Sequence, residues 1–209
     1  MASGTHRQTR FVINPRFRLR FPLFAVNWHE VDEAMLRHEA QRLAPSPGIY
    51  LSGSTVMVAV PTAQNDALDL YYGTDTHFDN VRLQRWLRTT IRDAITHRAN
   101  EVLPARTREL ANKHGLSVRA VTIRKLPRRI LGQCDSLQRI SLSPMLVVFP
   151  TDFMDDTILH ELAHTRHMHH RKAFWTLLTQ LLGTDAREQK RLMDIVLCKY
   201  LEYYQFLMR

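Results

Sequence analysis

The spacing of hydrophobic and polar positions changes several times along the chain, and each period predicts an element. From Arg16 to Phe21 basic and apolar residues alternate, putting Arg16, Arg18 and Arg20 on one side of an expected strand and Phe17, Leu19 and Phe21 on the other. Asn27 followed by Glu30 has the form of a capping box, so a short helix is expected from there to about Leu43, before the break "APSPG". "GIYLSGSTVMVAVP" (48–61) predicts two strands around a Ser-Gly-Ser turn, with Val56, Val58 and Val60 on one face. From Asp79 or Asn80, Val81, Leu83, Trp86, Leu87, Ile91, Ala94 and Ile95 recur at helical spacing. Pro104 is expected to kink that helix or start a second one, which ends near Lys113 and His114 with Gly115 as cap.

"LSVRAVTIRKL" (116–126) follows as a β-rich stretch, and "QRISLS" (138–143) turns Ile140 and Leu142 inward. After Gly183 a terminal helix is expected, with Leu192, Ile195, Val196, Tyr200 and Leu201 near one face, against the core rather than a second copy. Residues 1 to 10 read as a disordered tail, and no internal repeat or low-complexity segment interrupts the rest. The pattern describes a single domain over 11–209: a β-rich part at 11–78, a core at 79–183 and a C-terminal helix at 184–209.

Composition narrows the class. No window approaches the roughly 18 uninterrupted apolar residues of a membrane span, and "FPLFAV" is shorter than a secretory core of about 7 to 15 residues, so a cytoplasmic protein is expected. Cys134 and Cys198 are too few for a disulfide scaffold and are expected as buried small hydrophobes. The net charge of +9 rests on 24 Arg and 5 Lys. Such a balance suits a nucleic acid or nucleotide partner, because guanidinium binds phosphate bidentately; dispersed over a solvated surface it needs no partner at all.

"HELAHTRHMHH" (160–170) carries five of the eleven histidines. Pro150 ends the run before it, Thr151 is a plausible N-cap, and Asp152, Asp155 and Asp156 sit where a helix dipole favours negative charge. The helix is expected to reach about Met168. His160 and His164 then lie about 40° apart on one face, one turn removed, while Met154, Ile158 and Leu162 face the core. Both imidazoles can reach one zinc ion, and Glu161, about 60° further round, can take a proton from zinc-bound water. A catalytic zinc takes three protein ligands and keeps an open position. His167 lies about 10 Å along the axis from His160, too far for the same straight helix to supply it. The chain must fold back; His169 in the left-handed conformation could make the break, which points to His170 as third ligand.

The stretch from Val121 to Trp175 resembles the YgjP-like metallopeptidase family, related to SprT-like and WLM zincin-like proteases. That family's pattern is a basic strand, Trp-Gly-Ser-Cys, an Ile-x-Leu-Asn strand, then H-E-L-x-H-x5-H and Phe-Trp. The corresponding residues are Leu131, Gly132, Gln133 and Cys134; Ile140, Ser141, Leu142 and Ser143; and His160, Glu161, Leu162, His164, His170, Phe174 and Trp175. Leu131, Gln133 and His169 depart from the pattern's Trp, Ser and Asn. The resemblance covers the C-terminal half closely and the N-terminal half by layout only. It implies His160, His164 and His170 as zinc ligands and Glu161 as general base. It also implies an α+β, minimal zincin-like fold: a small mixed or antiparallel sheet on the active-site helix, N-terminal β-hairpins and a long C-terminal helix.

The expected function is therefore a zinc-dependent metallohydrolase acting on peptide or protein substrates. The alternatives are a zinc-dependent nucleotide or phosphate-ester hydrolase, or a basic protein whose protease activity is directed at DNA-bound proteins. Phe174 and Trp175 are expected to anchor the next helix rather than form a substrate platform, and Cys134 to pack rather than close the zinc site. Strand 138–143, if an edge, would accept an extended peptide. No oxyanion stabiliser is identified; Arg124, Arg128, Arg129 and Arg166 are conceivable as charge near the cleft.

Overall fold

The computed structural model describes residues 12–17, 19–43, 48–127 and 129–208. The chain runs β1 (Ala25–Val31), α1 (Glu33–Leu43), β2 (Ile49–Ser52), β3 (Thr55–Pro61), β4 (Ala67–Gly73), α2 (Val81–Lys113), β5 (Ala120–Ile123), β6 (Gly132–Cys134) and β7 (Arg139–Leu142). A 3-10 turn (Pro144–Val148) then leads to α3 (Thr151–His164), α4 (Lys172–Leu182) and α5 (Ala186–Met208). The architecture is α+β, with one sheet in the order β1-β4-β3-β2 and a second in the order β5-β7-β6. No helix among the described residues is long and apolar enough to cross a membrane.

The β2–β3 hairpin forms as its turn chemistry requires, Gly53 taking φ +61 between the paired Ser52 and Thr55. β3 is buried on both faces. Val56 and Val58 pack on Leu36 and Ala40 of α1, while Met57 and Ala59 join the main core under α2, so the strand reads as a continuous apolar run. Val60 shares the face of Val56 and Val58 but is exposed. β4, which the pattern did not predict, is the strand that joins β1 to the hairpin.

Several expectations are corrected. Residues 27–31 are strand, not helix: Val26 and Trp28 face inward with period two, and parallel pairing with β4 outweighs the Asn27–Glu30 signal. The helix starts at Glu33, and the Met35 N–H donates to the Asp32 side chain at 2.9 Å. Phe17 and Leu19 are buried as alternation demands, yet among the described residues of 16–21 no strand forms and only Arg20 makes a β-bridge, to Ala25. Two aromatics of this segment pack on α5: Phe17 meets Tyr203 at 5.8 Å and Phe21 meets Tyr200 at 5.7 Å. Residues 1–10, expected as a disordered tail, lie outside the described residues, as do Phe11, Arg18 and residues 44–47.

Helix α2 continues through Pro104 as one 33-residue helix. Its buried stripe of Leu83, Leu87, Ile91, Ile95, Ala99 and Leu103 carries on to Leu110 and Ala111, and this packing outweighs the hydrogen bond that proline cannot make. Asn80 caps its start by accepting from the N–H groups of Arg82 and Leu83. β7 buries Ile140 and Leu142 as expected, but it is not an edge: it lies between β5, to which it is parallel, and β6, to which it is antiparallel. On α5 the inward positions are Met193, Val196, Leu197, Tyr200, Tyr203 and Leu207, leaving Leu192 and Ile195 outside; the Leu201 side chain lies outside the described residues. Cys134 is half-buried and Cys198 exposed, so neither is the core residue expected.

Candidate metal centre and cleft

α3 is set from below by Met154, Ile158 and Leu162, all buried, and from the side by Arg106 of α2. The Arg106 guanidinium donates to both carboxylate oxygens of Asp155, at 2.9 and 2.6 Å. The start of α3 has no side-chain cap: Thr151 is its first residue rather than its N-cap, and Pro150 precedes it. The helix also stops sooner than expected, at His164. Thr165 turns its hydroxyl back to the Leu162 carbonyl at 2.7 Å, its own carbonyl accepts from Gln138 Nε2 at 3.2 Å, and the chain leaves the helical axis. His169 is not the left-handed residue at this break; among the described residues other than glycine, positive φ falls at Asn65, Arg129 and Gln138.

The reversal brings His170 back to the helix. One ring nitrogen from each of His160, His164 and His170 lies within 4.8 Å of the others, with His170 Nε2 and His160 Nε2 3.0 Å apart. Two zinc–nitrogen bonds of about 2.05 Å meeting at a tetrahedral angle put their nitrogens about 3.3 Å apart, so this pair needs to move only a few tenths of an ångström to share an ion. His164 Nδ1 sits 3.1 Å from the His167 carbonyl. A carbonyl only accepts, so Nδ1 carries the proton and Nε2 presents its lone pair to the centre. Burial and the neighbouring imidazoles push His160 down to about 3, and burial lowers His164 and His170 as well. Neutral rings are the form that ligates a metal.

Phe174, fully buried, floors the cluster, its centroid 4.5 to 5.1 Å from all three imidazoles. Trp175 donates from Nε1 to the His170 carbonyl at 3.1 Å, tying the reversal to α4, while Arg187 stacks over its ring at 4.7 Å. Both aromatics anchor α4 as expected, and they also hold the site in shape.

Glu161 is 6 % exposed, and burial raises its carboxyl to about 7 against a backbone hydrogen bond from Cys134 that lowers it. The edge strand β6 presses on it closely. A Cβ at Gly132 would come within 2.5 Å of Glu161 Cγ, so glycine is required here for close approach rather than for its backbone angles. Cys134 stays outside the imidazole cluster; its thiol is raised to about 11, chiefly by burial and then by the Glu161 and Asp135 charges.

A cleft of about 280 Å³ opens beside His160, Glu161 and His170, between β6 and the α4–α5 hairpin. Of the four arginines considered for its charge, Arg129 lines it. Arg124 bonds Ser141 and Gln133, Arg166 bonds the Gly115 carbonyl, and Arg128 lies outside the described residues. Lys190, on α5, lines the cleft and was missed in the sequence. Its signal was present: Ala186, Lys190, Met193 and Leu197 recur on one helical face, a cation inside an apolar stripe.

Residues 27–195, from β1 to the middle of α5, match the family model described as YgjP-like, metallopeptidase domain. The match extends well into the N-terminal half, where the motifs had shown only a similar layout. No curated protein and no solved structure matches the chain.

Proposed function

The chain belongs to the YgjP-like metallopeptidase family, and from that premise we propose that it hydrolyses peptide bonds with a zinc ion held by His160, His164 and His170 and with Glu161 as general base. The observation that carries this reading is the convergence of three neutral imidazoles beside a buried carboxyl. Zinc bound there would supply a Lewis acid for the scissile carbonyl and acidify a water molecule.

The protein's own residues do the rest. Glu161, held under Gly132 and the Cys134 N–H, accepts the attacking water's proton on its carboxylate and delivers it to the leaving amine. β6 offers its outer edge to an extended substrate, since β7 occupies only the inner one. Lys190, which lines the cleft paired with Asp194, is a cation that would supply positive charge as oxygen becomes anionic in the tetrahedral state.

The test offers peptides, casein and nucleoside triphosphates to the zinc-loaded chain. Peptide cleavage is expected, and E161Q lowers it by about 10² to 10⁴-fold with zinc content unchanged. Phosphate release without peptide cleavage, or full activity in E161Q, contradicts the proposal.

A further inference from the structure

From His160 and Glu161 toward the start of α3, the cleft lining turns apolar: Phe153, then Leu178 and Leu182 of α4, then Ala186, Met193 and Leu197 of α5. Leu131 and Gly132 form the opposite lip, where the edge strand begins. Clefts that bind side chains are concave and mostly apolar. This one, at about 280 Å³, is nearly twice the roughly 150 Å³ cavity that admits benzene. Of the charged side chains that line it, Lys190, Asp194 and Asp156 have partners, and Arg129 is a further cation. Lys190 pairs with Asp194 at 3.3 Å, and Asp156 accepts from Gln189 at 2.5 Å. An incoming charged side chain would therefore lose its hydration against an apolar wall.

We propose that this recess is the subsite for a bulky apolar side chain, that of Phe, Leu or Met, on the substrate residue flanking the bond that is cut, and that Met193 and Leu197 set its depth. The inference rests on the peptidase reading and adds the substrate class. The family match ends at residue 195, so Leu197, at the far wall, lies beyond it.

Two measurements on the full chain test it. Metal-free protein with ¹³C-methyl methionine is titrated with the N-acetyl amides of phenylalanine, glycine and lysine. The Met193 methyl should shift with the phenylalanine probe and not with the other two. Zinc-loaded protein is then given a peptide library, and kcat/KM for Phe, Leu or Met at one position beside the cleaved bond should exceed that for Gly, Asp or Lys at least about tenfold. Met193→Trp, filling the recess, should lower the Phe-to-Ala preference about tenfold or more. Ile195→Ala, on the outer face of α5, should not change it. If Met193→Trp does not fold, Leu197→Ala should shift preference toward tryptophan. Peptides cut without side-chain preference, or a Met193 methyl that answers all three probes alike, overturn the subsite. A phenylalanine-specific shift in a protein that cuts no peptide overturns the peptidase reading instead and leaves the apolar recess standing.

Discussion

Replacing Glu161 by glutamine should stabilise the metal-free protein, and only at neutral and alkaline pH. The carboxyl goes from its ordinary 4.5 to about 7 because the fold buries it. Between those values the native state keeps a proton that the unfolded chain has released, so stability present below pH 4.5 is lost as the pH rises through 7. At about 1.4 kcal/mol per pH unit the full loss is about 3.4 kcal/mol, of which about 2.5 falls between pH 5 and 8.5. The amide in E161Q never ionises and escapes it. His160, lowered to about 3, works with the opposite sign, adding stability as the pH rises from 3 to 6.5; it is present in both proteins and cancels in the difference. Urea melts of both metal-free proteins at pH 5 and 8.5 make the measurement. With a slope of about 2 kcal/mol per molar, the midpoint gap in favour of E161Q should widen by roughly 1 M at the higher pH. A gap that stays constant, or closes, would refute the claim that burial governs this carboxyl.

Other substitutions test the shell around the site. Gly132→Ala must displace either the edge strand or Glu161, and a misplaced base should cost about 10²-fold in kcat/KM while zinc content holds. Phe174→Ala removes the floor under three imidazoles and should cost about 3 to 5 kcal/mol in denaturant melts, with weaker zinc retention against a chelator. Lys190→Met should lower kcat about tenfold or more with KM little changed, the pattern of a group that acts on the transition state. Equal losses in stability for Lys190→Met would instead mark a structural residue.

The parts of the fold legible in the sequence were those whose cause is local. The hairpin was written in a Gly at the turn, α2 in its period, and the histidine cluster in two histidines one turn apart with others close behind. What escaped was decided by partners distant in sequence. β1 carries a helix-start signal at Asn27 and Glu30, yet it is a strand because β4 lies alongside it. Pro104 is tolerated because the buried stripe of α2 continues past it. The chain reversal before His170 was foreseen, but its agent was not: Thr165 and the turn at Gln138 end the helix, and His169 does not take a positive φ. The inward face of α5 was misread because Leu192 and Ile195, though apolar, point away from a core whose position only the tertiary fold sets.

The metal centre is tested most directly by the zinc content of three purified proteins: wild type, His160→Ala and His170→Ala. About one zinc per chain is expected in the wild type and near-complete loss in both variants, since each removes one of the three proposed ligands, and the cluster holds no fourth metal-binding side chain among the described residues. Zinc retained at full stoichiometry in both variants would contradict the three-histidine site.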